Sequence, residues 1–377
     1  MKFQVDHQVL ADAVGWASRV LPVRPALPVL AGMLVDATAD GVTLAGFDYE
    51  VSARATVEAA VSEPGRVLVP GRLLAEIVRS LPGRPVEVST EGAEAVVRCG
   101  SAEFGLLTMP AEDYPTLPEP PAVAGTVSGD AFGTAIGRVV VAASRDDTLP
   151  MLTGVRVDIE GETIGLACTD RYRIACCELA WSPARPDFSA AAVVPARTLA
   201  DAARSLRAGT EVELSLTGVG DNLLGLSGAG RTLTTRLLDD QFIDYRSRLS
   251  GQWTTRAEVP TGAFVEAVKR VALVAERNVP VRLAFSEDSV RIRAASGDAA
   301  RASETLPAEL DGDEVDIGFN PQFLLDGLAG ITTMTTRLHC DGPNKAALFT
   351  PAPTEDDKAP TAQDTYRYLL MPIRLSA

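Results

Sequence analysis

The chain is poor in the residues that do chemistry. Of its 377 residues two are histidines, His7 and His339, and they fall in different thirds. A metal site takes three or four ligands, so neither is read as one. His7 sits in an expected first helical turn and is taken as a surface residue. Five cysteines (Cys99, Cys168, Cys176, Cys177, Cys340) make an odd count with no C-x-x-C pair. That excludes a disulfide scaffold and predicts free, buried thiols in a reducing compartment. Aromatic residues make up 5% of the chain, too few for a stripe on which single-stranded bases stack. No run approaches the roughly 18–20 apolar residues of a membrane span. The opening MKFQVDHQVL lacks the apolar core of a signal peptide, so a cytoplasmic protein with no membrane partner is expected. There is no G-x-S-x-G elbow and no P-loop. Gly218-Val219-Gly220 lacks the third glycine of a dinucleotide loop and reads as a turn. Asp146-Asp147 and Asp239-Asp240 read as loop charges. No catalytic residue, cofactor or metal is left to assign, and the expectation is a protein that works by binding.

Cations are in deficit as well. Fifty acidic residues against 35 basic ones give a formal net charge of −15. Taken alone, this opposes a nucleic-acid partner, because phosphate repels an acidic surface. A partner feels the local field, however, and the arginines are bunched on particular helices. A plain solvated acidic surface is the competing reading.

What the chain has in quantity is repetition. Pro195–Leu206 (PARTLADAARSL) places Leu199, Ala202, Ala203 and Leu206 at i, i+3, i+4 and i+7, which draws one apolar stripe. At about 100° per residue, Arg197 and Arg204 point the other way. Pro70–Leu81 (PGRLLAEIVRSL) and Asn320–Ile331 (NPQFLLDGLAGI) repeat the pattern at intervals of 125 residues. Leu74/Leu199/Leu324 and Glu76/Asp201/Asp326 therefore fall in register. A proline can open such a helix without losing a needed N–H. A period this long is a domain, and three are expected: 1–121, 126–250 and 252–377.

Each third begins with another helix: Val5–Val20, Val127–Ala142 and Val259–Val274, with Asp6, Ser128 and Thr261 as N-caps. Basic residues gather at or beyond their C-terminal ends: Arg19 and Arg24; Arg138 and Arg145; Lys269, Arg270 and Arg277. They suit the helix dipole there. Period-two stretches such as Val51–Val57, Thr163–Ala167 and Glu211–Leu216 read as strands. Each third thus reads helix, strands, helix, strands, an α+β domain with two helices on an antiparallel sheet. Pro110, Pro115, Pro118, Pro120 and Pro121 mark one linker, and Ser250-Gly251 another. Pro351–Asp364 reads as a polar loop before a last strand, Tyr366–Leu375.

Three equal domains with open sheet edges can close into a ring by head-to-tail association. The strands around Glu103–Thr108 and Arg282–Ala295 are the edges expected to meet. Helices carrying Arg72, Arg79, Arg197, Arg204 and Lys269 would then line one surface, with Arg138 among them. Six copies, from two chains, would enclose a hole wide enough for duplex DNA.

Several segments carry a family likeness: MKFQVD at the start, Arg24–Leu30 (RPALPVL), Phe47-Asp48-Tyr49-Glu50, Thr169–Ala175 (TDRYRIA), Phe319-Asn320-Pro321 and Met371–Leu375 (MPIRL). With these in order, the chain resembles the bacterial DNA polymerase III beta subunit, the sliding clamp, over essentially its whole length. Arg171-Tyr172 and Tyr368-Leu369-Leu370 resemble the actinobacterial branch. The resemblance implies a ring-shaped homodimer that encircles duplex DNA and tethers polymerase. Enclosure would retain the DNA, while cations, Arg24 among them, meet phosphates through water and ions. It also implies one peptide pocket per chain, between the second and third domains, for short motifs of the polymerase III alpha subunit, other polymerases, the clamp loader and repair proteins. Its wall would comprise Leu152, Thr169, Arg171, Arg173, Ile174, Ile243, Leu369, Met371, Pro372, Ile373, Arg374 and Leu375. There the apolar residues supply burial and the arginines orient the peptide's polar ends. Without the resemblance, Met371–Leu375 reads as a buried strand. One departure stands out: the family usually has proline after Phe242, where this chain has Ile243. Proline fixes φ and removes a donor, so the rim is expected to differ, as in a variant clamp tolerant of a clamp-directed antibiotic. The rival reading is a three-domain protein-binding scaffold that does not encircle DNA.

Overall fold

The apolar stripes fold as helices and the period-two stretches as strands. The computed structural model describes residues 1–207, 211–216, 222–239, 241–251, 253–276, 279–296, 299–352 and 365–374. Gly218-Val219-Gly220, Asp240, Arg277, Leu375 and most of Pro351–Asp364 lie outside the described residues. α1 (His7–Ser18) starts at Asp6, whose carboxylate accepts from the N–H groups of Gln8 and Val9 at 2.8 and 3.2 Å. Such a cap satisfies donors that the first turn leaves free. α2 (Gly71–Ser80) buries Leu74, Ala75, Ile77 and Val78 and leaves Arg72, Glu76 and Arg79 exposed. α3 (Gly129–Val139) and α4 (Ala196–Leu206) follow in the second third, then the short α5 (Tyr245–Leu249). α6 (Thr261–Ala272) and α7 (Pro321–Leu328) belong to the last third.

The helix starts differ from the expectation at α2, α4 and α6. Pro70 and Pro195 end strands, Gly65–Pro70 and Ser189–Pro195, so they precede the first helical residue. Among the described α-helices α7 alone has proline at its first position, with the Asn320 side chain accepting from the Phe323 N–H at 3.1 Å. Thr261 is not an N-cap either. That place is taken by Pro260, and the buried Thr261 hydroxyl instead shares a 2.9 Å hydrogen bond with Thr336. His7 is not a free surface residue: it is half-buried, its Nε2 lying 2.9 Å from the Val78 carbonyl, which ties α1 to α2.

The chain forms two compact units: Met1–Gly129 with Pro183–Arg185 and Asp201–Leu237, and Asp130–Ser182 with Pro186–Ala200 and Leu238–Ala377. Neither coincides with one third, because strands pair across the repeats. In the first unit, Arg231–Arg236 pairs antiparallel with Val51–Val57, Leu233 opposite Ala53, within a nine-stranded sheet. In the second, Arg173–Ala180 pairs with Arg367–Leu370, Ile174 opposite Leu369, within another nine-stranded sheet. Each unit also holds a smaller sheet. The first has five strands and ends on Ala102–Leu107, an open edge as expected. The second has four: Ala300–Pro307, Ser289–Ser296, Val281–Ser286 and Val315–Phe319, in that spatial order. Arg282–Ala295 is therefore interior to its sheet; the edges are Ala300–Pro307 and Val315–Phe319, and the latter accepts from the Ile373 N–H at Gly318. Ala300–Pro307 alternates small and charged residues, a weaker signal than its neighbours' branched ones.

The C-terminal strand is shorter than its pattern suggests. It ends at Leu370, and Met371–Arg374 is partly exposed coil. Pro372 has no N–H for a ladder; the Met371 N–H goes instead to the Tyr172 carbonyl, and that of Ile373 to the Gly318 carbonyl, both at 2.8 Å. All five cysteines are free and buried. Burial pushes the Cys176 and Cys177 thiols up to about 12, so they stay protonated and unreactive.

Candidate functional site

The cations expected to face DNA sort by burial. Arg24, Arg72, Arg79, Arg197, Arg204 and Lys269 are exposed. Arg72 donates to the Leu21 carbonyl at 2.7 Å, Arg204 pairs with Asp201, and Lys269 pairs with Glu266 at 2.9 Å. Arg138 does not belong with them. It is 7% exposed, its guanidinium lies 5.8 Å from the Tyr366 ring centre, and it donates to the Thr332 hydroxyl at 3.2 Å. The cause is helical spacing. Arg138 follows the buried Ala135 by three residues, which sets it on the edge of the buried face.

The expected pocket residues gather around the turn between Thr163–Thr169 and Arg173–Ala180. Asp170 shapes this turn by accepting from the N–H groups of Tyr172 and Arg173 at 3.0 and 3.1 Å. Arg171 takes φ +78°, in the left-handed region that side chains rarely adopt. The Thr169 hydroxyl accepts from the Arg171 N–H and donates to the Arg173 carbonyl at 2.8 Å. Arg171 and Tyr172 end exposed at the tip. The nearby Asp146 carboxyl is held below the usual range by the Thr148 hydroxyl and N–H and, more weakly, by the charge of Arg171.

Arg173 has a different task from the one expected of it. Its Nε donates to Asp170 at 2.9 Å, and one terminal nitrogen donates to Asp326 at 2.7 Å and to the Tyr368 hydroxyl at 3.3 Å. The guanidinium lies 4.1 Å from the Phe323 ring centre and is 8% exposed. Burial pulls its pKa down, but Tyr368 and the two carboxylates outweigh burial and hold it charged. Its Nε and one terminal nitrogen are thus spent on the fold, joining the turn to α7 and to Arg367–Leu370. Tyr368 in turn donates to the Phe323 carbonyl at 2.7 Å. Gly327 makes room for that ring: a Cβ there would stand 2.3 Å from Tyr368.

An apolar floor lies beside this lock. Ala167, Ile174, Cys176, Tyr245, Leu249, Leu348 and Leu369 form one buried cluster, with Phe242, Trp253 and Ala346 packed on it. Leu152 is buried in the short 3-10 turn Pro150–Thr153, which packs on Thr163–Thr169. Met371 is exposed and tied to the turn by its N–H; Pro372 and Ile373 are half-buried, and Arg374 is exposed. Phe242, not Ile243, touches the floor. Ile243 lines an open groove of about 450 Å³ with Asp158, Ser189, Ala191 and Tyr245. Tyr245 donates to Asp158 at 3.1 Å, and burial, with Asp158 adding to it, raises its pKa to about 12. Tyr172, Phe323, Asp326 and Tyr368 were not among the expected residues. In the sequence, Tyr172 and Tyr368 stood in segments that carry the family likeness, and Asp326 showed only as a register match with Glu76 and Asp201.

With this geometry in hand, the chain can be set beside known proteins. Three profiles of the DNA polymerase III beta subunit match it: the N-terminal domain over residues 1–118, the central domain over 126–244 and the C-terminal domain over 251–373. It is 51% identical to the beta sliding clamp of Streptomyces coelicolor over 100% of both chains. It is 44% identical to the beta sliding clamp homolog GriR of Streptomyces muensis over 99% of each. A crystal structure of the DnaN sliding clamp from Pseudomonas aeruginosa bound to griselimycin is 28% identical and superposes over 100% of each chain with a TM-score of 0.89.

Proposed function

Since the chain belongs to the DNA polymerase III beta subunit family, the beta sliding clamps, we propose that two copies close head to tail into a ring around duplex DNA and hold polymerase there. The observation that carries the reading is a pair of edge strands of the two smaller sheets, Ala102–Leu107 in one unit and Ala300–Pro307 in the other. An unpaired edge is a template for another chain, and joining unlike edges twice closes a two-fold ring. Leu107 on the first edge is 68% exposed, and Leu273, which caps the α6 that packs on the second, is 84% exposed. Exposed leucines beside open edges are what such an interface buries. The protein does no catalysis; enclosure does the work, in a cytoplasmic setting that suits five free thiols.

Arg24, Arg72, Arg79, Arg197, Arg204 and Lys269 face the duplex in this reading. Arg204 and Lys269 contribute less, because a carboxylate three residues earlier half-neutralises each. The pocket around Ile174, Leu369 and Met371 takes short peptides of the polymerase III alpha subunit, other polymerases, the clamp loader and repair proteins. Arg171 and Arg374 meet the polar ends, while Arg173 keeps the floor in place. The three domains span 1–121, 126–250 and 252–377.

Sizing and DNA retention test the reading together. The expected outcome is a dimer that stays on circular DNA after loading and runs off linear ends. A monomer that is not retained on circles would leave the scaffold reading in its place. Arg24→Ala with Arg197→Ala is expected to shorten retention with dimerisation intact. Ile243 supports a second, narrower reading: a clamp tolerant of a clamp-directed peptide antibiotic. Ile243→Pro is expected to tighten binding of such a peptide, and equal affinities for the two proteins would remove the idea.

A further inference from the structure

The four-stranded sheet of the second unit has two unlike faces. Val281, Leu283, Phe285, Val290 and Ile292 are buried on the side covered by α6. Alternate residues point the other way, and there stand Arg282, Arg291, Arg293 and Arg301, spaced by the small Ala284, Ala295 and Ser303. The register sets Arg282 directly opposite Arg293, and Ala284 opposite both Arg291 and Asp316. Asp316 is the one acidic side chain on that face among the described strand residues. It accepts from Arg282 at 2.7 and 3.3 Å and from Arg293 at 2.7 Å. Four arginines against one aspartate leave a surplus of three positive charges, in a chain whose net charge is −15.

This arrangement is not neutral for the fold. Like charges directly opposite on neighbouring strands are destabilising, and one shared carboxylate offsets only part of that. The Nε of Arg293 is buried with no acceptor, and Arg291 and Arg301 are exposed with no hydrogen-bond or ion-pair partner among the described residues. The face already displays how it holds an anion, by closing two guanidinium groups on a single carboxylate.

We propose that this face docks an extended acidic protein segment carrying carboxylates at alternate positions. Alternate side chains of an extended chain repeat at about 6.8 Å, which is the spacing of Arg291 and Arg293 along their own strand. Arginine forks suit planar carboxylates. A nucleic acid fits less well: the face offers no aromatic ring for a base. A long polyanion would also run past it onto the carboxylates of Glu287, Asp288, Asp313 and Glu314 at the neighbouring turns. Screening beyond about 8 Å at physiological salt lets a short acidic segment feel the local patch rather than the whole chain.

The test is fluorescence anisotropy on the full-length protein with a labelled peptide alternating Asp and Ser. An Asn/Ser peptide and a labelled oligothymidylate serve as comparisons. The Asp peptide is expected to bind in a salt-sensitive way, more tightly than either. Arg291→Glu is expected to weaken it by about tenfold, and Arg291→Glu with Arg301→Glu by about a hundredfold. Because Arg301 lies on the open edge, the single variant decides if the double one alters assembly or folding. No binding of the Asp peptide, equal binding of the Asn peptide, an oligothymidylate that binds as tightly, or indifference to Arg291→Glu each overturns the proposal.

Discussion

The same turn occurs twice, and its two uses differ. Asp48-Tyr49-Glu50 joins Gly41–Phe47 to Val51–Val57; Asp170-Arg171-Tyr172 joins Thr163–Thr169 to Arg173–Ala180. In both, the aspartate accepts from the N–H groups two and three residues further on, and the residue directly after it is left-handed, Tyr49 at φ +76° and Arg171 at +78°. The flanks diverge. Before the first turn stands Phe47, its ring 5.3 Å from that of Tyr49; before the second stands Thr169, a small residue that spends its hydroxyl on the backbone. After the first comes Val51, an ordinary buried aliphatic residue. After the second comes Arg173, a buried cation held by Asp170 and Asp326. One copy fills its site with aromatic rings. The other keeps an apolar floor beside a charged lock, and that is the copy where the proposed pocket lies. A backbone device thus survives duplication while its neighbours are free to change.

The largest expected effect is at the position where the copies differ most. Arg173→Ala strips two carboxylates of a buried partner and is expected to cost about 3–5 kcal/mol, read from urea denaturation. Val51→Ala, at the equivalent place, leaves a small cavity and is expected to cost about 2 kcal/mol. Equal losses would mean that the lock adds nothing beyond packing. Next comes the support behind the lock. Gly327→Ala forces Tyr368 aside and is expected to cost about 1–3 kcal/mol, with weaker peptide binding. The matching positions in α2 and α4, Ile77 and Ala202, already carry side chains. The smallest effect separates the two tips. Arg171→Gly relieves a left-handed residue and is expected to stabilise by about 1 kcal/mol while weakening peptide binding. Tyr49→Gly gains the same relief but loses its ring contact with Phe47, so its net change in melting temperature is expected near zero.

Much of the architecture was legible from the chain alone. Val51–Val57 and Glu211–Leu216 are strands with the bounds their alternation predicts, and on α4 the stripe of Leu199, Ala202, Ala203 and Leu206 is buried while Arg197 and Arg204 stay outside. The proposed pocket was legible only through family resemblance, because its parts come from segments that carry no joint pattern. Arg173 and Asp326 are 153 residues apart. Nothing in their local spacing says that an arginine next to an exposed turn will be buried.

By itself, the sequence determined periodicity: which side of each helix or strand is apolar, and that the plan is written three times. Local sterics and burial act within a few residues, so these features are fixed before any long-range contact forms. Tertiary structure alone decided what covers each side. It drew Arg138 under Tyr366, left Ala300–Pro307 rather than Arg282–Ala295 as an edge, turned the chain off its ladder after Leu370, and gathered four arginines onto one face of a sheet. Those outcomes depend on which distant element arrives as the partner, and a one-dimensional pattern does not encode that choice locally.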